Sequence, residues 1–432
     1  MSELAKGVLA SIGTVGAAED AVRRWADANV PPTWREAAVK GGPAAVRTVR
    51  TPAEYRQWYP TFARSGLVVP QWPVPYGGLD WSRELARAAD AVLAPLHLPR
   101  LNPLGLNNTA AALFAHGTEQ QRLRYLPKIV DASETWCQLF SEPGAGSDLA
   151  ALATRAERVE GGWTVTGQKV WTTWAHDADM GILLARTDPA LPKRAGISYF
   201  LLDMHQAGVT VRPLVHIGGE VDFNEVFLDD AFVADDQLLG DLNGGWTVAR
   251  ATLAGERQMV AGAGSGGVDR IGGGSARRLV TLAQQRAAAN LSGGWDDPHV
   301  RRRIVRLWCE EQIRGWTNDR VRAAVKAGGT PGAESSIGKV AGAELNQRIQ
   351  EAAADLLGAA GTAWPGDAGV GDVSAWAASL PFEVKGMLRS RANTIEGGTT
   401  EVNKNILGER VLGLPKEPDA WEGRPWRDVP RS

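Results

Sequence analysis

The sequence predicts an α+β chain in three parts: helical, then antiparallel β, then helical again. Three observations carry this. Apolar positions recur at helical spacing from about residue 17 to 130. Short β-branched and aromatic runs with no helices between them fill about 135 to 240, and the helical period returns after Gly244-Gly245. Short strands at close spacing favour an antiparallel sandwich or barrel over a parallel doubly wound sheet.

In the first part, Ala21, Val22 and Trp25 mark a helix face, with Pro- and Gly-rich breaks at Val30 to Pro32 and Pro70 to Gly78. Leu123, Leu126 and Val130 continue such a face, and Pro127 between them predicts a break or kink. In the second part the strands read as Trp136 to Phe140, Trp163 to Thr173, Gly181 to Arg186, Ile197 to Asp203, Val209 to Leu214 and Phe223 to Leu228. Trp163 and Val165 alternate with Thr164 and Thr166, as a half-buried strand requires. In the third part Asp297-Pro298 reads as an N-cap followed by proline at the first helical position, and Val300, Ile304, Leu307 and Trp308 follow on one face. Ile337, Val340, Ala341, Leu345, Ile349, Ala352 and Leu356 mark another helix, and a last one runs from Val402 to Leu412 before Gly413 and Pro415 stop it. The domains are therefore drawn at 1–132, 133–241 and 242–415, with 416–432 a charged, proline-containing tail expected on the surface or mobile.

Composition bounds the function. The 432 residues carry 47 Lys+Arg against 49 Asp+Glu, so no global basic field draws the chain to nucleic acid or anionic lipid. Cys137 and Cys309 offer neither a disulfide framework nor metal-ligand spacing, and the six histidines form no H-x-x-x-H grouping, so no metal is expected. Val8 to Ala18 is too diluted by Gly, Ser and Thr for a signal segment, and no apolar run spans a bilayer, which makes the cytoplasm the expected location. The oddity is 17 Trp against 8 Phe and 5 Tyr, a surplus that suits helix packing, interfaces or a flat ligand.

Gly262-Ala-Gly264-Ser-Gly-Gly267 has the letters G-x-G-x-x-G but follows a helical stretch, so a closely packed or flexible turn is the better reading than a dinucleotide fingerprint. Phe140-Ser-Glu-Pro-Gly-Ala-Gly-Ser-Asp148 ends an apolar strand with exposed amides and hydroxyls. That suits a planar or phosphorylated ligand, and equally an ordinary turn. Two further segments join it: Gly167-Gln-Lys-Val-Trp171-Thr172-Thr173, and Ile395-Glu396-Gly397-Gly398-Thr399-Thr400-Glu401-Val402, which leads into Asn405-Ile-Leu-Gly-Glu-Arg-Val-Leu-Gly-Leu-Pro415.

With these three ordered motifs the sequence resembles the acyl-CoA dehydrogenase family over about residues 17 to 415. The resemblance implies an N-terminal helical domain, a central antiparallel β-domain and a C-terminal four-helix bundle, with FAD as cofactor. It implies FAD contacts at Phe140, Ser141, Gly146, Ser147, Trp171, Thr173, Thr399 and Glu401, with Ser147 and Arg257 also at the acyl-CoA. Ser141 stands where the family more often has threonine and keeps the hydroxyl. The family's R-x-x-F-G segment, which reaches the flavin of a neighbouring subunit, is not visible near Gln284 to Gly294.

The implied reaction removes a proton from the carbon next to the thioester and a hydride from the next carbon, giving a 2-enoyl-CoA. In the best-known members the base directly precedes the G-T of the C-terminal motif, but here that slot is Gly397, and Glu396 lies one residue early. A branch of the family places the base in an E-R dipeptide on the first helix after the β-domain, and Leu253-Ala-Gly-Glu256-Arg257 matches it. Glu256 is thus the expected general base, with Glu396 the alternative. A carboxylate on a regular helix is held more rigidly than one on a Gly-Gly turn, and closure around an acyl chain strips its water and strengthens it as a base. The small side chains from Met259 to Gly264 suggest room for a branched or ring-bearing acyl group.

The expected electron acceptor is an electron-transfer flavoprotein and the expected assembly a homodimer or homotetramer. Two alternatives stand beside this reading: a flavin oxidase or monooxygenase on the same scaffold, and a non-catalytic partner subunit of a mixed oligomer.

Overall fold

The computed structural model describes residues 2–258, 275–327, 332–362 and 380–430. Seven helices come first: α1 (Ser2–Ala10), α2 (Val15–Asn29), α3 (Pro32–Val49), α4 (Pro52–Arg64), α5 (Arg83–Leu93), α6 (Ala110–His116) and α7 (Glu119–Asp131). Their starts follow from local chemistry. The Thr14 hydroxyl accepts from the Ala17 amide ahead of α2, and Thr51/Glu54 and Thr118/Gln121 form reciprocal caps on α4 and α7. Pro127 does not break α7: Leu126, Ile129 and Val130 are buried on either side of it, and their packing outweighs the one backbone bond that proline cannot make.

Much of the tryptophan surplus is found here. Trp25, Trp34 and Trp58 pack with Tyr55 and Phe62 at ring separations of 5.4–6.3 Å, and the indole N–H groups of Trp58 and Trp81 donate to the Asn29 and Leu9 carbonyls.

Seven strands follow: β1 (Trp136–Leu139), β2 (Arg155–Val159), β3 (Gly162–Thr173), β4 (Met180–Arg186), β5 (Ile197–Asp203), β6 (Val209–Leu214) and β7 (Phe223–Ala234). The sheet order is β1-β4-β2-β3-β7-β6, with β5 also on β4. Most pairs are antiparallel, as expected, but β1 runs parallel to β4, and β2 meets β4 in parallel at Arg155 opposite Arg186. β2 is absent from the sequence reading, and β7 is longer than its expected end at Leu228.

The chain then re-enters helices: α8 (Gly245–Gln258), α9 (Ala276–Ala288), α10 (Pro298–Lys326), α11 (Ser335–Asp355), α12 (Phe382–Ser390) and α13 (Thr400–Arg410). Leu279 of α9, Ile304 and Leu307 of α10, and Leu345 and Ile349 of α11 share one core, whereas Val248 and Ala249 of α8 pack with the sheet domain. Trp308 does not join Leu307 on the buried face and is 47% exposed, because adjacent helical positions lie about 100° apart. The 416–430 segment also departs from the surface-tail expectation at Trp426, which is buried. No helix among the described residues is long and apolar enough to cross a membrane.

Gly245 seats α8 against the sheet. A Cβ there would lie 2.5–2.7 Å from the Ser198–Tyr199 backbone of β5, so only glycine allows this approach. One face of α8 is then fixed by Thr252, whose hydroxyl lies 3.0 Å from the Tyr199 hydroxyl.

Candidate active site

The first motif forms the turn after β1. Phe140 is buried with its ring edge-on to Tyr199 at 5.8 Å, and Glu142 and Ala145 exchange backbone bonds of 3.1 Å that close the turn. The Glu142 carboxylate accepts from the Ala153 and Thr154 amides at 2.7 and 2.9 Å and pairs with Lys169 of β3 at 2.8 Å. Lys169, with a side chain 0% exposed, also donates to the Phe140 carbonyl at 3.1 Å. Burial pushes the Glu142 carboxyl up, but the Lys169 charge and the bonds donated by Lys169, Thr154 and Ala153 outweigh it and hold the group below the usual carboxylate range. Burial pulls the Lys169 ammonium down, and Glu142 opposes that pull. This pair staples the first motif to the second. Ser141 is partly buried, whereas Gly146 and Ser147 stand exposed beyond the staple.

The second motif lies on an irregularity of β3. Between Lys169 and Thr172 the pairing with β7 slips, and Trp171 takes a left-handed backbone (φ 59°) that leaves its ring 55% exposed and edge-on to Phe223 at 5.7 Å. The Val170 amide donates to the Ser141 carbonyl at 2.9 Å, which ties this bulge to the first turn. Thr172 is buried, its carbonyl accepts from Asn224, and its hydroxyl finds no partner among the described residues. Thr173 pairs with Phe223 across the strands.

The third motif approaches from the helical side. The Arg389 guanidinium lies 5.9 Å from the Phe223 ring and pairs with Glu396 at 3.0 Å, and Asn393 donates to the same carboxylate at 3.3 Å. Left-handed Gly397 and Gly398 (φ 63° and 85°) then turn the chain into α13. Thr399 caps that helix by accepting from the Val402 amide at 3.1 Å, Asn403 holds the Gly398 and Thr399 carbonyls, and Glu401 is exposed in the first turn. Through Trp171, Phe223, Arg389 and Glu396 the second and third motifs share one surface.

Glu256 lies on α8, one turn after Thr252; the side chains of Glu256 and Arg257, and all of Met259 to Gly264 and the Gly262–Gly267 motif, lie outside the described residues.

Models of the acyl-CoA dehydrogenase N-terminal, middle and C-terminal domains match residues 16–133, 137–231 and 243–412. The chain belongs to the acyl-CoA dehydrogenase family. It is 37% identical over 399 residues to the acyl-CoA dehydrogenase IpdE1 of Mycobacterium tuberculosis, covering 92% of this chain and 97% of that one. Its counterpart in Mycolicibacterium smegmatis is 35% identical, with the same 92% and 97% coverage. Among solved structures, the Tcur3481-Tcur3483 steroid ACAD is 26% identical with a TM-score of 0.69, covering 93% of this chain and 98% of that one. The protein is thus an acyl-CoA dehydrogenase, an oxidoreductase of a flavoprotein family whose three-part fold it shares.

Residues that carried no role in the sequence reading do much of the positioning. Lys169 and Glu142 are the first case, and Phe223, Asn224 and Arg389 the second. A third group comes together in the β6–β7 turn, where ligand atoms of His216, Glu220 and Asp222 lie within 4.8 Å of one another. The geometry argues against a cation on His216 Nε2. Nδ1 accepts from the Gly218 amide at 3.0 Å, and this bond assigns the neutral ring's proton to Nε2, facing Glu220 at 3.6 Å and Asp222 at 3.9 Å. Lys385 of α12 already lies 3.9 Å from Glu220. The cluster joins this turn to α12, four residues before Arg389.

Proposed function

We propose that the protein uses FAD to oxidise the α,β bond of a bulky, ring-bearing acyl-CoA thioester to its 2-enoyl-CoA, with Glu256 as general base. The observation that carries this reading is the seating of α8: Gly245 abuts β5, and Thr252 bonds Tyr199, whose ring packs on Phe140. Positions 252 and 256 share a helix face, so the same α8 face that meets the Phe140 turn continues to Glu256. Glu396 is the weaker candidate because Arg389 and Asn393 already engage its carboxylate.

The residues present suit the cofactor. Trp171 offers an exposed flat ring, the Thr172 hydroxyl is unpartnered among the described residues, and a Cβ at Gly144 or Gly146 would meet nothing within 4 Å, so the turn beside them stands open. Phe140, Ser141, Gly146, Ser147, Trp171 and Thr173 would hold the ring end, and Thr399 and Glu401 the diphosphate and adenosine end. FAD, when bound, accepts the hydride leaving the β-carbon. Glu256 takes the α-proton, Ser147 and Arg257 hold the thioester's CoA portion, and the Lys169–Glu142 staple keeps the Ser141 turn in register with Trp171. An electron-transfer flavoprotein then receives the electrons. The similarity to the Tcur3481-Tcur3483 steroid ACAD supports a ring-bearing acyl group, as do the small side chains after Gln258.

The protein purified alone and titrated without oxygen against a panel of acyl-CoAs provides the test. The expected result is a yellow protein bleached by ring-bearing acyl-CoAs. A colourless protein, or bleaching confined to short straight chains, would overturn the reading.

A further inference from the structure

The segment beyond α13 returns to the sheet domain and ends in a clasp. Trp426, 8% exposed, donates from its backbone amide to the Leu191 carbonyl at 2.8 Å, and the Arg427 amide donates to Pro189 at 3.0 Å. Pro425 bridges Pro192. The Trp426 indole N–H donates to the Ala151 carbonyl at 3.3 Å, and the Arg186 guanidinium lies 4.4 Å from the centre of that ring. Arg186 in turn donates to the carbonyls of Ala150 at 2.7 Å, Leu152 at 3.2 Å and Lys193 at 2.9 Å. Three consecutive carbonyls, 150 to 152, are therefore held by one stacked Arg186–Trp426 unit. They belong to the single helical turn that the Ala151 amide closes onto Asp148, and Asp148 is paired with Lys193 at 2.8 Å. Ser147 is the next residue upstream.

We propose that residues 425–427 form a clasp that fixes the Ser147 turn for acyl-CoA binding, with Trp426 as its positioning residue. The inference rests on the functional reading above, in which Ser147 meets the thioester, and adds an element on the C-terminal side of all three matched domains. The exposed turn from Gly144 to Asp148 has no hydrophobic anchor of its own except Ala145. Its conformation downstream of the Glu142 staple thus depends on what holds 150–152. Releasing the clasp frees the turn while leaving the Lys169–Glu142 pair, which joins it to β3, and α8 in place.

The test compares the whole chain with Trp426→Ala, Trp426→Phe and a chain ended after Pro415, reading amide hydrogen exchange of residues 144–152 and acyl-CoA turnover with an artificial acceptor. For Trp426→Ala and the shortened chain, exchange in this turn is expected to quicken about tenfold or more, and KM for acyl-CoA to rise roughly five- to tenfold. The saturating rate per bound flavin should stay within about twofold, since Glu256 and the other reacting groups are untouched. Trp426→Phe keeps a ring under Arg186 and should fall between. Unchanged exchange, or quickened exchange with unchanged KM, would overturn the clasp. A wild-type chain that no acyl-CoA reduces would instead defeat the functional reading, and the exchange measurement would then decide the clasp alone.

Discussion

Glu256→Gln is expected to keep its bound flavin and to lose flavin reduction by acyl-CoA by roughly 10²–10⁴-fold, the usual contribution of a positioned general base. Glutamine has the size and shape of glutamate, so the pocket and α8 are preserved, while the amide has no lone pair basic enough to take the α-proton. Glu256→Asp, with the carboxylate drawn back by one methylene, should fall between the two. Glu396→Gln provides the contrast. Its carboxylate pairs with Arg389 on a partly exposed surface, an arrangement worth about 0–1 kcal/mol, and reduction should change only a few-fold. Rapid-mixing measurement of flavin reduction without oxygen separates the candidates. A Glu256→Gln chain reduced at the wild-type rate, or a Glu396→Gln chain that is not reduced, would move the base to Glu396.

The three-part order is legible because the hydrophobic period changes twice, from helical to strand and back, and β5 and β6 match their expected bounds to the residue because turn glycines or charges flank them. β2 was not legible: of Arg155 to Val159 only Ala156 is buried, and the strand exists through its pairing with β3 and the Arg158 guanidinium over the Trp163 ring. Asp229-Asp230 reads as a turn, yet β7 runs through it with Asp230 in a left-handed conformation. Alternation records which face is buried and not which way a neighbour runs, so the parallel β1–β4 pair left no mark. The site's motifs were legible by their spacing, but their supports were not. Lys169 was nevertheless within reach: Trp163, Val165 and Lys169 share the parity of the inward face, and a lysine there demands a partner. His216, Glu220 and Asp222 converge only when their turn folds, and Arg389 gains its meaning from Phe223, more than 160 residues earlier.

Lys169→Met is expected to cost about 3–5 kcal/mol of stability, the penalty for stranding one charge of a buried pair. Methionine fills similar volume, so the loss comes from Glu142, which keeps its two amide donors but loses the ammonium. Adding Glu142→Gln should restore much of the loss, because a buried pair removed as a unit is far less damaging than one broken by half. The pH dependence identifies the cause. In the wild type the folded-state value of Glu142 is depressed, so its contribution is present above the ordinary carboxyl value of about 4.3 and is lost as pH falls through the folded value. In Lys169→Met only the Ala153 and Thr154 bonds still oppose burial, the largest single influence, so that value rises, and the variant is penalised most near neutrality and recovers as the carboxyl takes a proton. The gap between the two chains should therefore be widest near about pH 7 and narrow towards about pH 4. Denaturant midpoints across that range provide the measurement. A gap that does not change with pH would assign the loss to packing, and a double variant no better than the single one would remove Glu142 as its source.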